Sequence, residues 1–359
     1  MRSRFDVVVI GAGPSGSSAA YRLAQKGFKT LLVEMESLPR TKSCAGMLPP
    51  KIRRAIKIPH HLVQRPIEGY MVFAPGESAT IRFPHDSGYT VDRGSFDLWL
   101  AEEAVEAGSR LMQGTNVLGI KQAKRDTVVF TTSGRYYAKY VVGADGVRSR
   151  MRKSLGLHAP SKDQLAFTYQ MVFEQDERII DEIIGNYFHT HYDVSTVREG
   201  YLWVSPHRKR LFLGFGTPLG EVQITPRGII RGFTELERVK LLIKDAKLIK
   251  EEAYLIPNSG PYEELGRGRI LFVGDAGGFT HPFTGEGIYY AILSGQAAAE
   301  AISTHKLGDE LTQLYEQIVE KYGLLRLRGL VEERKVKLRG NEAIRRYVQG
   351  LKILSTHTS

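Results

Sequence analysis

Cysteine is almost absent from this sequence: Cys44 is the only one in 359 residues. One thiol cannot close an internal disulfide, which fits a reducing, cytoplasmic setting. No apolar run approaches the roughly 18–20 residues that a membrane-spanning helix needs. The opening Met1-Arg2-Ser3-Arg4-Phe5-Asp6 leads straight into a strand, so no secretory leader is expected. Repeats and low-complexity stretches are missing. The ten histidines show no metal-type spacing with cysteine, so no metal is expected. Nor does any nucleic-acid-binding module accompany the basic excess, and nucleic acid is not an expected partner.

What is present suits an ordinary globular chain of about two structural units, with 42% hydrophobic and 25% charged residues. The net charge is +11 and unevenly placed. Between Lys321 and Lys352, basic residues such as Arg334, Lys335, Lys337, Arg345 and Arg346 interleave with Leu324, Leu327, Leu338, Ile344 and Val348 at helical spacing. Two uses fit that pattern equally: a basic amphipathic helix on an anionic membrane surface, or a helix packed on the body with a solvated basic face.

Phe5–Ile10 reads as a buried strand, Ser15–Lys26 as a helix and Thr30–Glu34 as a second strand, which together make a βαβ opening. Phe96–Ala107 reads as a helix, and Asp126–Tyr140 as a hairpin leading into an apolar strand. The aromatic and β-branched residues from Gln164 to Phe215 suggest a separate antiparallel sheet. Arg227–Lys250 is expected to be helical, Ile270–Val273 a strand and Ile288–Ile302 a helix. Pieces of one nucleotide-binding unit thus lie at both ends of the chain, around an inserted sheet.

Gly11-Ala12-Gly13-Pro14-Ser15-Gly16 follows the first strand, opens the first helix, and is followed about 20 residues later by Glu34. Gly11 permits the tight turn, Gly13 lets backbone approach a pyrophosphate, and Gly16 lets the helix pack closely on the sheet. The helix N-terminus presents N–H groups to the anion. Glu34 accepts from ribose hydroxyls and repels a 2′-phosphate. A glycine-rich turn with no ligand is the competing reading.

Two further segments narrow the ligand. Tyr140-Val141-Val142-Gly143-Ala144-Asp145-Gly146-Val147-Arg148-Ser149 resembles the second flavoprotein signature of the aromatic-hydroxylase superfamily. Arg269-Ile270-Leu271-Phe272-Val273-Gly274-Asp275-Ala276 resembles the third, and continues to Gly287 and Ile288 at the start of a helix. The resemblance implies FAD. It implies an α/β fold: a Rossmann-like FAD-binding domain (residues 1–70, 91–160 and 259–305) with an inserted α+β antiparallel-sheet substrate domain (71–90 and 161–258), then a basic helical region (306–359).

Within that superfamily the chain resembles the geranylgeranyl reductases. Lys42-Ser43-Cys44-Ala45-Gly46-Met47-Leu48 sits where that family carries a cysteine–glycine loop beside the flavin. Val91-Asp92-Arg93-Gly94-Ser95-Phe96-Asp97 is similar to its Arg-x-x-Phe-Asp helix start. Gly200-Tyr201-Leu202-Trp203-Val204-Ser205-Pro206 is similar to its Tyr-x-Trp-x-Phe-Pro pocket motif, with Ser205 in place of the usual Phe. The segment after Lys321 is shorter than in many archaeal members. By this resemblance Gly11, Gly13, Ser15, Gly16, Glu34, Ala45, Gly46, Arg93, Val117, Asp145, Asp275, Gly287 and Ile288 bind the cofactor, and Trp203 and Pro206 line the substrate pocket.

The implied chemistry is hydride transfer from reduced FAD to an isolated alkene of an isoprenoid lipid or prenyl diphosphate. Such an alkene offers no carbonyl to polarise, so catalysis rests on close holding, a dry pocket and a proton donor. Cys44 and Tyr201 are the candidate donors; a small buried hydrophobe and ordinary sheet packing are the plainer readings of the two. His281, in the flavin-facing loop, is a weaker candidate. The electron donor is NAD(P)H or a ferredoxin-like protein, the latter suited by a basic surface. A flavin monooxygenase or halogenase of the same superfamily, and a lipid-binding flavoprotein without turnover, are the alternatives. A peripheral position on the membrane stays open.

Overall fold

The computed structural model describes residues 3–123, 125–157, 159–222, 225–306 and 310–356; expectations touching residues 1–2, 307–309 and 357–359 lie outside them. Contacts divide the chain into two units, Met1–Thr41, Gly94–Ser161 and Pro257–Leu330 in the first, and Lys42–Arg93, Lys162–Ile256 and Val331–Ser359 in the second. The sequence reading gives residues 42–70 to the cofactor fold. Here they join the second unit, because strand Val63–Ile67 pairs with Gly88–Val91 and Gly69–Ala74 pairs with Tyr187–His191.

The first unit is an α/β layer structure. Its sheet runs in the order Gly266–Arg267, Ile270–Phe272, Gly134–Gly143, Ser3–Ile10, Thr30–Val33, Arg110–Met112. The four pairings from Ile270–Phe272 to Arg110–Met112 are parallel. Val7, Val8 and Val9 have no exposed surface, as a strand covered on both faces requires. Each such side chain contributes about 1.5–3 kcal/mol of burial. The expected hairpin is present as Thr127–Thr131 against Gly134–Gly143, with Val117–Gln122 paired to its outer strand. Helix Pro14–Gln25 has proline at its first position and buries Ala19, Ala20 and Leu23.

The second unit is built on a seven-stranded sheet: Lys247–Pro257, Leu165–Glu174, Arg210–Pro218, Tyr201–Pro206, Tyr187–His191, Gly69–Ala74, Glu77–Arg82. It is largely antiparallel, with Tyr187–His191 and Gly69–Ala74 parallel. Alternation along Tyr201–Pro206 gives the sheet two different faces. Leu202 and Val204 pack on Ile229, Phe233, Val239 and Leu242 from short helices. Trp203 faces the other way, into a cluster with Ile67 and Phe188.

The single helix expected over Arg227–Lys250 is not formed. Thr225 caps helix Pro226–Thr234 through the Gly228 N–H, and an extended Leu236 then breaks the run. A second helix, Glu237–Ile243, ends before Asp245 at φ +62, and the chain enters edge strand Lys247–Pro257. Apolar spacing continued through the break because Ile229, Phe233, Val239 and Leu242 all cover one core.

Helix Asn341–Thr356 decides between the two readings of the basic segment. Leu338, Ile344 and Val348 are buried, and Arg345 Nε donates to the Pro75 carbonyl at 2.9 Å. Gln349 and Lys352 both reach the Glu77 carboxylate, at 2.9 and 2.6 Å. The apolar stripe therefore packs against this unit's outer strands instead of facing a membrane. Among the described residues, no helix is long and apolar enough to cross a bilayer.

Candidate active site

In the first unit, three chain segments meet at the ends of the parallel strands. Gly11 has φ +105, and a Cβ there would lie 2.3 Å from the Ala144 carbonyl oxygen. A Cβ at Gly16 would lie 1.9 Å from the Gly11 oxygen. These two glycines are fixed by the protein's own packing. Gly274, at φ +57, abuts Ser15 Oγ, and Gly295 of helix Ile288–Thr304 abuts the Ser15 carbonyl. Ser15 is thus held between the third signature and helix Ile288–Thr304.

Gly13 differs. A Cβ there would meet only Arg40 Nη2, at 3.5 Å, so nothing in the fold itself demands glycine. Gly287 likewise has only ordinary neighbours, Thr280 Oγ1 at 3.6 Å and Asp275 Oδ1 at 4.0 Å. Both are helix N-caps without a side-chain capping bond. Two helix N-termini that keep their amides for an outside acceptor, each beside open glycine, fit a pyrophosphate and an electron-rich ring system.

Glu34, buried, accepts from the Ala12 N–H at 2.7 Å and from the Glu36 N–H at 3.2 Å. Those bonds fix the carboxylate and leave acceptor capacity for ribose hydroxyls. Arg40 lies 3.6 Å from Glu34 and 3.1 Å from buried Asp97. The sequence gives no motif for Arg40; its place beside Gly13 and Glu34 arises only from tertiary folding. Asp275 accepts from Thr280 Oγ1 at 3.3 Å beside Gly287, and Ile288 opens the helix.

Two expected cofactor residues are turned inward. Asp145 accepts from Ser149 Oγ at 2.6 Å and the Met151 N–H at 3.1 Å, and burial pushes its pKa up. It braces its own loop. The Val117 side chain packs with Val8, Ile10 and Val33, leaving its main chain as the part it could offer. His281 Nδ1 accepts from the Phe283 and Thr284 N–H groups, both at 3.2 Å, so it too organises its own loop.

In the second unit the cysteine loop is clamped by the sheet. The Ala45 carbonyl accepts from Ser205 Oγ at 2.9 Å and from His207 Nε2 at 3.0 Å. Gln170 Nε2 donates to the Cys44 carbonyl at 3.4 Å, and to Glu252 at 2.7 Å. Gly46, at φ +71, leaves no space for a Cβ, which would sit 2.3 Å from the Val91 oxygen. Cys44 itself is half-buried, with its Sγ 3.4 Å from the Gly46 N–H. Burial lowers His207 to about 4, so it stays neutral and donates from Nε2. Ser205, the departure from the family pattern, therefore has a task a phenylalanine could not perform.

Above this loop lies an aromatic surface. Ala45, Met47, Tyr70, Phe83 and Tyr201 pack around Ile67, Phe188 and Trp203. Trp203 lies against Gly214, where a Cβ would come within 2.4 Å of the indole, so that glycine makes its room. The Trp203 Nε1 is buried without a hydrogen-bond partner. Pro206 is buried at the end of the same strand, and its carbonyl accepts from Thr90 Oγ1 at 3.0 Å. Arg93, buried, is the first residue of helix Arg93–Glu106.

The fold and the first unit's cradle define an FAD-binding flavoprotein. A family model described as an FAD binding domain matches residues 4–198. The digeranylgeranylglycerophospholipid reductase of Methanocaldococcus jannaschii is 31% identical, over 87% of this chain and 81% of that one. The geranylgeranyl diphosphate reductase of Rhodobacter capsulatus is also 31% identical, over 83% and 75%. A solved structure of a geranylgeranyl bacteriochlorophyll reductase-like protein from Thermoplasma acidophilum has a TM-score of 0.86 at 22% identity, covering 98% of this chain and 92% of that one. The chain belongs to the geranylgeranyl reductase family.

Proposed function

We propose that this protein is an FAD-dependent reductase that saturates carbon–carbon double bonds of isoprenoid chains. The observation that carries the reading is its 31% identity to a digeranylgeranylglycerophospholipid reductase along 87% of the chain. The second unit supports it with an apolar, aromatic sheet face around Trp203 and Phe188, suited to a hydrocarbon and poor for a polar substrate.

FAD, when bound and reduced, supplies the hydride. Gly13, Glu34, Asp275 and Gly287 are the residues proposed to hold it. The chain's remaining tasks are to exclude water, to orient the alkene and to deliver a proton to its second carbon. Trp203, Phe188 and Tyr70 exclude water. The Cys44 thiol, on a loop fixed by Ser205 and His207, and the Tyr201 hydroxyl are the proposed proton sources.

Dithionite-reduced protein mixed with prenyl lipids without oxygen should reoxidise its flavin and yield products heavier by two hydrogens per bond. Cys44→Ala or Tyr201→Phe should slow that step by about 10²–10⁴-fold if the residue is the acid. Reoxidation that needs oxygen, with an oxygenated or halogenated product, would instead identify a monooxygenase or halogenase.

A further inference from the structure

Large apolar side chains exposed to solvent are few in this protein, and they are not scattered. Of the eight exposed ones among the described residues, four fall within fourteen consecutive positions: Leu236, Leu241, Leu248 and Ile249. Leu236 caps helix Glu237–Ile243 and Leu241 lies on it, and a tight turn at Asp245 leads to Leu248 and Ile249 at the start of strand Lys247–Pro257. Side chains alternate along that strand, so Ile249 shares the side of Glu251, which meets Arg227 of the neighbouring helix, and Leu248 points the other way with Glu252. The helix already buries its other face, through Val239 and Leu242. Leu236 and Leu241 are thus left out of a core that is otherwise complete.

The charge around them is predominantly positive. Arg238, Lys240, Lys244, Lys247 and Lys250 stand among these residues against Glu237 and Asp245. Lys250 pairs with Glu252 at 2.8 Å, whereas Lys240, Lys244 and Lys247 form no ion pair among the described residues. Lysine alone on an edge strand serves to discourage strand pairing. That role accounts for Lys247 and Lys250 but not for two exposed leucines and two further lysines on the neighbouring helix.

We propose that residues 236–249 form a docking face for an anionic lipid bilayer, with Leu236, Leu241 and Ile249 entering the headgroup–acyl boundary and Lys240, Lys244 and Lys247 meeting lipid phosphates. Apolar side chains flanked by unpaired lysines are the combination that interfacial binding uses, burial supplying one part and attraction to anionic headgroups the other. A protein partner would need a larger apolar centre with charge kept to its rim. The face exists whatever the enzyme reduces; its use in presenting a membrane-resident chain rests on the reductase reading.

Flotation of the FAD-loaded, full-length protein with vesicles tests this. Vesicles of mixed phosphatidylcholine and phosphatidylglycerol should carry the protein, and phosphatidylcholine alone should carry far less. Raised salt should release it. The exposed-site variant Leu236→Ser/Leu241→Ser/Ile249→Ser should bind about tenfold more weakly, and Lys240→Glu/Lys244→Glu/Lys247→Glu should lose the dependence on anionic lipid. Both variants should keep wild-type flavin absorbance and wild-type turnover of detergent-dispersed substrate. Equal binding by wild type and the triple serine variant overturns the proposal. So does failure to float with anionic vesicles, or a dimer that the serine substitutions convert to monomer. A protein that floats as expected but reduces no prenyl lipid would sink the reductase reading and leave the docking face standing.

Discussion

The imidazole of His207 donates from Nε2 to the main-chain carbonyl of Ala45 across 3.0 Å, and so ties the strand end after Trp203 to the loop that carries Cys44. Ser205 reinforces the same carbonyl at 2.9 Å. Two side chains spaced two apart on one sheet face thereby hold a thiol that neither touches.

Removing that tie should free the thiol. His207→Ala leaves a carbonyl with one donor fewer, at a cost of about 1–3 kcal/mol. Alkylation of Cys44 by a small maleimide should be faster in His207→Ala than in wild type, and faster still with Ser205→Ala added. Rates equal to wild type in the double variant would show that the loop is held by other means.

Acid should weaken the fold in a defined window. Burial lowers His207 to about 4, and His189 and His191 to about 3, from the usual 6.5. Unfolding exposes bases that take protons at 6.5, so the unfolded chain binds more protons between roughly pH 6.5 and 3–4. Stability is greatest above that window and falls as pH drops through it, by about 2 kcal/mol per buried histidine at pH 5. His191, stacked on Phe73 at 4.5 Å with Arg238 as its charged neighbour, has no partner for Nε2. His191→Phe should therefore hold its urea midpoint near wild type at pH 8 and exceed it at pH 5. Parallel pH profiles would count against this.

The glycines of the first loop should separate by role. Gly16→Ala drives a methyl into the Gly11 carbonyl and should abolish folding or lower Tm sharply. Gly13→Ala meets only the end of Arg40. It should fold with near wild-type circular dichroism yet purify with little bound FAD. A yellow Gly13→Ala protein with normal flavin affinity would remove Gly13 from the cofactor site.

The opening βαβ unit was legible because local pattern and tertiary role coincide there: Val7, Val8 and Val9 are apolar in a row since both faces are covered. The same holds for Gly11 and Gly16, whose missing side chains are dictated by neighbours a few residues away or on the adjoining strand. Arg40 and His207 were not legible. Their meaning depends on partners such as Asp97 and Ala45, 57 and 162 positions away, and no local spacing encodes such distances. Leu236 was misread because a break in backbone direction left the apolar rhythm on either side undisturbed.

The packing of helix Asn341–Thr356 on strand Glu77–Arg82 also bears on how the chain is made. Gln349 and its partner Glu77 are 272 residues apart. At ~5–20 residues per second, a ribosome needs tens of seconds to bridge that interval. Through that time the outer strand has left the exit tunnel while the helix that packs on it has not yet been synthesised, so the Glu77 carboxylate lacks both Gln349 and Lys352. This edge of the sheet can therefore reach its final packing only after residues 341–356 have emerged.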